Sequence, residues 1–292
     1  MSYVTGYARA KFIALLTATL LTITSATTVS YANDKMKVEE VAAKHLQSIG
    51  SVEARAAVKS RIMLGTCSVI VQGRATGAGD GQAVLASEKA NYLIVMKFVS
   101  PDYPHELIGF DGKNLTAGYV RPGVRSSLAN FLLMHNTVFE QGIMGGALSS
   151  AWPLLNLAAG DVKLQYDGTG KVGDKRVYKL RYSPRKGSDL QITLFFDAET
   201  FQHLRTQYER VIAPQMGRDI DNSARQSETR YKMVEDFSEF KSAGDLTLPH
   251  VYKLQLSVTG NSGTLTHNWT LNLNEFNFNR PIDSKSFNIK SY

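Results

Sequence analysis

Few side chains in this sequence stand at spacings that could do chemistry. The histidines are His45, His105, His135, His203, His250 and His267. His105-Glu106 opens the pattern in which two histidines four residues apart hold zinc from one helical face, but Gly109 stands where the second ligand belongs. No other histidine pair sits at i+2 or i+4, and the single cysteine, Cys67, cannot build a thiolate zinc site. Asp219-Ile-Asp221-Asn222-Ser223 starts like a calcium loop. It has no glycine at the sixth position, and Arg230 replaces the bidentate glutamate at the twelfth. There is no Gly-x-Ser-x-Gly elbow, and no Ser-x-x-Lys is paired with Lys-Thr-Gly. Gly77-Ala-Gly79-Asp-Gly81 looks like a piece of a dinucleotide loop, yet a strand follows it where a helix is needed, so it reads as a turn. The acidic pairs Glu39-Glu40 and Glu235-Asp236 are expected on solvated faces, and Cys67 reads as a packed thiol. The expectation is a protein that is not an enzyme, with no metal and no cofactor.

What the sequence offers instead is apolar surface in an unusual arrangement. Stretches such as Asp189–Asp197 and Val251–Val258 alternate with period two, the pattern of strands with one buried face. One block, residues 124–159, breaks that pattern and is too apolar for an exposed surface. It reads as one or two helices forming a lid over something apolar. Within it Phe131, Leu132, Met134, Ile143 and Trp152 are expected to face the sheet, and Met134, Met144, Gly142, Gly145 and Gly146 to make the cover deformable. The matching rows on the sheet are Tyr92, Ile94, Met96 and Phe98, then Tyr252, Leu254 and Leu256, with Leu194 between them in sequence. Leu93, Val95 and Phe195 put apolar side chains on the opposite faces, so those strands are expected to be covered on both sides.

The rest of the chain must position that lid. Residues 1–32 read as a secretory signal peptide: Arg9 and Lys11 lead, Phe12–Ile23 is a short apolar run, and Ser30-Tyr31-Ala32 offers a cleavage site. The apolar run is shorter than the roughly 20 residues a spanning helix needs. Residues 33–292 then read as one exported domain. They open on a helix whose Val38, Val41, Ala42, His45, Leu46 and Ile49 share a face, with Asp34 near its start and Gly50 in a left-handed stop. A short helical segment over 52–59 follows. Strands are expected at 61–73, 80–89, 91–99, 105–111 and 113–120 before the lid. After it they are expected at 161–168, 175–183, 189–198, 201–211, 228–240, 247–258 and 264–279. Asp111-Gly112 marks a hairpin, and the parity change from Leu273 to Phe276 predicts a bulge near Asn274. Residues 213–226 read as a polar loop.

The formal charge of +7 falls to +5 without Arg9 and Lys11, too little to specify nucleic acid. The densest basic stretch, Lys171–Lys186, is a candidate membrane-docking strand through Lys179 and Arg181, against the simpler reading of a solvated strand face.

The opening helix ends in Ile49-Gly50 and leads into the long strand Arg61–Gln72. Asp236-Phe237…Phe240, then Leu246-Thr-Leu-Pro249…Tyr252, gives a strand, a turn and a Leu-Pro entry, and Phe278-Asn279-Arg-Pro-Ile282-Asp283…Phe287 a closing phrase. With Val177–Tyr182 and Ile192–Asp197 as middle strands, these segments together resemble the LolA/LolB-like superfamily of lipoprotein carriers. The resemblance implies an α+β, mainly β fold: an unclosed antiparallel half-barrel with an N-terminal helix and a helical lid over an apolar cavity. It also implies a soluble, monomeric carrier of lipid or lipoprotein acyl chains that meets a membrane or membrane-protein donor and acceptor. The other function it implies is a regulatory module that docks a protein or senses lipoproteins. The longer lid and the 213–226 loop depart from the better-known carriers.

Overall fold

The computed structural model describes residues 36–74, 76–159, 163–214 and 228–289. The signal-peptide segment, Asp34 and most of the 213–226 loop lie outside the described residues. Helix α1 (Val38–Ile49) turns Val41, Ala42, His45 and Ile49 inward, as its 3.6-residue spacing requires. Gly50 ends it with φ 153° and ψ 177°. This is a glycine conformation, but not the left-handed one expected from the sequence. Helix α2 (Val52–Ala57) is capped by Ser51, whose hydroxyl accepts from the Ala54 N–H.

Twelve antiparallel strands make one sheet among the described residues. The first five are β1 (Ser60–Gln72), β2 (Thr76–Glu88), β3 (Asn91–Phe98), β4 (His105–Phe110) and β5 (Leu115–Ala117). After the lid come β6 (Lys163–Val172), β7 (Lys175–Ser183), β8 (Gln191–Asp197), β9 (His203–Ile212), β10 (Thr229–Ala243), β11 (Leu246–Gly260) and β12 (Gly263–Phe278). Their order is 5-4-3-2-1-12-11-10-9-8-7-6. Each half of the chain is a meander, and the halves join where β1 pairs with β12. The sheet does not close, because β5 and β6 are its two edges. The 77–81 glycine cluster lies inside β2 and not in a turn, because it pairs with β1 from Thr76 onward. The bulge falls where the parity change put it. Leu64 opposes Glu275 and Gly65 opposes Leu273, leaving Asn274 as the extra residue.

Register carries the apolar rows across the sheet. Cys67, Leu271, Tyr252 and Phe237 are successive partners on one face, all buried. Tyr92, Ile94, Met96 and Phe98 share that face with Phe110, Ile108 and Glu106. This is the inner face. The outer face of β4 is covered by the C-terminal segment. Its short helical turn Ser284–Phe287 buries Phe287 fully, and Ile289 N–H donates to Thr116 Oγ1 at 2.8 Å.

The block between β5 and β6 connects the two free edges and lies over the inner face. It is more broken than one or two regular helices. Helix α3 (Ser127–Met134) and helix α4 (Asn136–Phe139) are followed by 3₁₀ turns at Gly146–Leu148 and Pro153–Ala159. Ser126 caps α3 by accepting from the Ala129 N–H at 2.9 Å. Helix α1 plugs one end of the sheet, beside the start of β11 and the β8–β9 turn: the His45 Nδ1–H donates to the Phe201 carbonyl at 3.1 Å. The opposite end, where the β1–β2, β3–β4 and β11–β12 connections cluster, is the mouth.

Candidate ligand-binding site

Broken helix leaves backbone groups without intrahelical partners, and in an apolar interior each needs another partner. The sheet supplies them from side chains of its inner face. Tyr92 donates its hydroxyl to the Phe139 carbonyl at 3.0 Å. Arg61 donates to the Ala147 carbonyl. Glu235 Oε1 accepts from the Gly145 N–H at 2.7 Å, and Ser87 Oγ accepts from the Ser150 N–H at 2.9 Å. Lid side chains add links of their own: Tyr182 donates to Gln141 Oε1 at 3.0 Å, and the Trp152 indole N–H donates to His45 Nε2 at 3.4 Å.

Two buried carboxylates anchor this system. Glu235 is fully buried and accepts hydroxyls from Tyr208 and Tyr252, each at 2.6 Å, besides the Gly145 N–H. Burial raises its pKa, against the lowering effect of those three hydrogen bonds. Glu106, on β4, accepts from the Tyr103 hydroxyl and from Ser126 Oγ at 2.8 Å, so it holds the capping residue of α3. Burial pushes its pKa up to about 7. Arg61 is a buried cation whose pKa burial lowers to about 10. Among the described residues its Nε and His267 Nδ1 have no hydrogen-bond partner. His45 is kept neutral by burial, with a pKa of about 4, and His203, stacked on Trp152 at 5.0 Å, lies well below its usual value.

The lid fills the space it covers. Phe131, Leu132, Val138, Phe139, Ile143, Met144, Leu148, Trp152 and Leu154 are all buried against the sheet. The void left between Met63, Leu85, Ile94, Met144 and Leu148 holds only about 10 Å³, room for one water at most. A larger cleft opens at the mouth. Its volume is about 710 Å³, between α3 and the β11–β12 hairpin. Phe131, Met134, Tyr231, Val258 and Leu265 give it an apolar floor, and Arg74, Asn130, Asn261 and Ser262 a polar rim. Phe131 stacks on Tyr231 at 5.9 Å and separates this cleft from the packed interior.

The residues expected from the sequence divide between these two regions. Tyr92, Ile94, Met96, Phe98, Leu194, Tyr252, Leu254 and Leu256 lie buried on the inner face, and Leu132, Ile143 and Trp152 are buried beneath the lid. Met134 is not under the lid: it is 49% exposed and lines the mouth cleft, because it ends α3 as the chain turns at His135. Phe131 borders both regions. Lys179 and Arg181 sit on the outer face of β7, and both approach Asp167, at 3.8 and 3.2 Å.

The lid glycines, expected to make the cover deformable, also stand where the backbone itself calls for glycine. Gly142, Gly145 and Gly146 have φ of 75°, 81° and 51°. A Cβ at Gly142 would lie 2.3 Å from the Ala151 carbonyl oxygen, and one at Gly146 would lie 2.9 Å from His203 Nδ1. At Gly142 and Gly146 the space beside the backbone is already taken, so a residue without a Cβ is needed there.

Sequence reasoning missed Glu106, Glu235 and Arg61 as lid anchors. Glu235 was expected on a solvated face beside Asp236, yet the two point to opposite sides. Asp236 pairs outside with Arg205 at 2.6 Å. Met233, Glu235 and Phe237 alternate as one inner row, the signal that could have found it. Cys67 is buried, with its thiol pKa pushed up to about 11 by burial. Among the described residues no three His, Cys, Asp or Glu side chains gather into a possible metal site, and no helix is long and apolar enough to cross a membrane.

No protein-family model matches the chain. No curated protein matches it either. Among solved structures it is similar to a LolA superfamily protein from Nitrosomonas europaea, at 11% identity and TM-score 0.42, over 86% of this chain and 97% of that one. It is also similar to a putative outer membrane lipoprotein-sorting protein domain from Vibrio parahaemolyticus, at 12% identity and TM-score 0.37, over 85% and 97%. A DUF1329 family protein from Desulfovibrio piger follows at 10% and 0.36, over 86% and 96%.

Proposed function

We propose that this protein is a periplasmic, non-enzymatic carrier that takes up acyl chains of a lipid or lipoprotein at the mouth and shelters them between lid and sheet. The observation that carries this reading is the lid itself. A strap of short, broken helices joins the two free edges of an unclosed sheet, and its backbone is tied to that sheet by single side-chain hydrogen bonds. Such a bond is worth about 1 kcal/mol net between neutral groups and roughly 1.5–3 kcal/mol where Arg61 or Glu235 takes part. A ligand that offers apolar area at roughly 25 cal/mol per Å² can compete with a few of them. The mouth cleft is the entry, with Phe131 and Tyr231 as the partition that an acyl chain displaces. Export by the 1–32 segment supplies the compartment.

Gentle purification from the native envelope, followed by lipid extraction and mass spectrometry, tests this. Stoichiometric acyl lipid is the expected result, and a protein that neither retains lipid nor takes up a fluorescent fatty acid overturns it. One feature favours the second reading, a docking or regulatory module: the space beneath the lid is packed as a core. Under that reading the lid stays shut, the inner face is structural, and partners bind outside.

A further inference from the structure

We propose that the mouth end is a docking surface for an anionic membrane, held there by single valines set among arginines. This deepens the carrier reading and rests on it, since a carrier must meet a lipid surface to load or unload. Seven large apolar side chains stand exposed among the described residues, and six of them lie at the mouth: Ile70, Val99, Val124, Met134, Val211 and Leu265. Only Val52 lies at the plugged end. Val99 is 92% exposed, directly after β3, and Val124 is 52% exposed on the connection from β5 to α3. An ion pair, Arg121 to Asp102 at 2.9 Å, ties the loops carrying these two valines to each other.

Four connections at this end carry one sign of charge in excess. The connections 73–75, 99–104, 118–126 and 261–262 hold Arg74, Arg121 and Arg125 against the single acid Asp102. Arg74 lines the cleft, and the Arg125 guanidinium lies 4.2 Å over the Tyr119 ring. Separated apolar tips interleaved with cations suit a deformable, anionic surface that accepts each tip individually. A protein partner would call for one contiguous packed patch. The cleft opens between these tips, so a membrane bound here faces the entry directly. By contrast Lys179 and Arg181 share Asp167 on the outer face of β7.

The test is co-sedimentation of the purified protein with phosphatidylglycerol–phosphatidylcholine vesicles and with phosphatidylcholine alone, at low and high salt. The expected result is binding to the anionic vesicles that falls several-fold as salt rises. Val99→Asp with Val124→Asp should reduce it several-fold, as should Arg74→Glu, with unchanged melting temperature because these side chains are exposed. Val99→Ser, a milder change, should move binding in the same direction. Lys179→Glu with Arg181→Glu should leave binding unaltered. No binding to anionic vesicles overturns the proposal, as does binding that ignores the valine and Arg74 variants but is lost on reversing Lys179 and Arg181. Uptake of a fluorescent fatty acid without vesicle binding would sink the docking surface and keep the carrier. Vesicle binding that responds to the mouth variants without uptake would do the reverse.

Discussion

Glu235 on β10 accepts a hydrogen bond from the backbone N–H of Gly145, ninety residues earlier in the chain, at 2.7 Å. The carboxylate has two other donors, Tyr208 and Tyr252, so both of its oxygens are engaged without a cation. Removing it strands three buried donors at once. Glu235→Ala is expected to destabilise the fold by about 3 kcal/mol or more, with Glu235→Gln costing less. Urea denaturation of the two variants measures this. A loss under 1 kcal/mol for alanine would mean that the lid is not held at this point.

The lid glycines separate two effects. Gly145→Ala meets only Ser149 Cβ, at 4.0 Å, and so reports backbone strain alone, about 1 kcal/mol. Gly142→Ala drives a methyl to 2.3 Å from a carbonyl oxygen and should cost several times more. Thermal melts should rank Gly142→Ala well below Gly145→Ala. Equal melting temperatures would show that the 142–151 crossing relaxes freely.

Glu106 makes stability depend on pH in a defined direction. Its folded pKa, about 7, lies above the ordinary 4.5, so the folded state holds a proton that the unfolded state has released between those values. Its contribution is therefore full below about 4.5 and is lost as pH rises through 7, on the order of 3 kcal/mol. His45 acts oppositely. Its folded pKa of about 4 lies below 6.5, so its contribution is lost as pH falls from 6.5 toward 4. Glu106→Gln should gain stability relative to wild type at pH 8 compared with pH 5. A wild-type-to-variant difference that is flat from pH 5 to 8 would show that Glu106 is not protonated in the fold.

The mouth cleft can be filled without touching the core. Met134→Trp adds volume at a half-exposed position that lines it. Fatty-acid uptake should slow several-fold while the melting temperature stays within a few degrees. Uptake at the wild-type rate would place the entry elsewhere.

Buried rows give a contrasting outcome. Ile94 and Leu254 are 4% and 1% exposed, so Ile94→Lys or Leu254→Lys buries an unpaired charge. Circular dichroism should show an unfolded or strongly destabilised chain. A folded variant that has lost fatty-acid uptake would instead identify these positions as an open ligand surface.

Strand and helix positions were legible because the local pattern determines them. The face of α1 follows from Val41, His45 and Ile49, and the bulge at Asn274 from the parity of Leu273 and Phe276. The anchors were not legible, because they join residues distant in sequence. Nothing near Arg61 announces that it meets Ala147, and Ser126 gives no sign of Glu106. The lid's helices were overestimated, since apolar composition does not reveal the left-handed glycines at 142, 145 and 146. Whether a row such as Tyr252–Leu256 lines a space or fills it depends on the volume of the side chains opposite, which a sequence does not order in space.

The seam between β1 and β12 has a consequence for how the molecule is made. Arg61 stands opposite Phe278, so the centre of the sheet is assembled from the two ends of the domain. Each meander can zip up from its own hairpins at small loop-closure cost, but the middle pairing waits for a closure spanning more than two hundred residues. Contacts so distant in sequence slow folding and leave two unpaired strand edges exposed until they meet. The lid is the one covalent connection between the halves before that seam forms. A backbone cut within it should leave a native molecule intact, yet make refolding from denaturant a second-order reaction between two fragments.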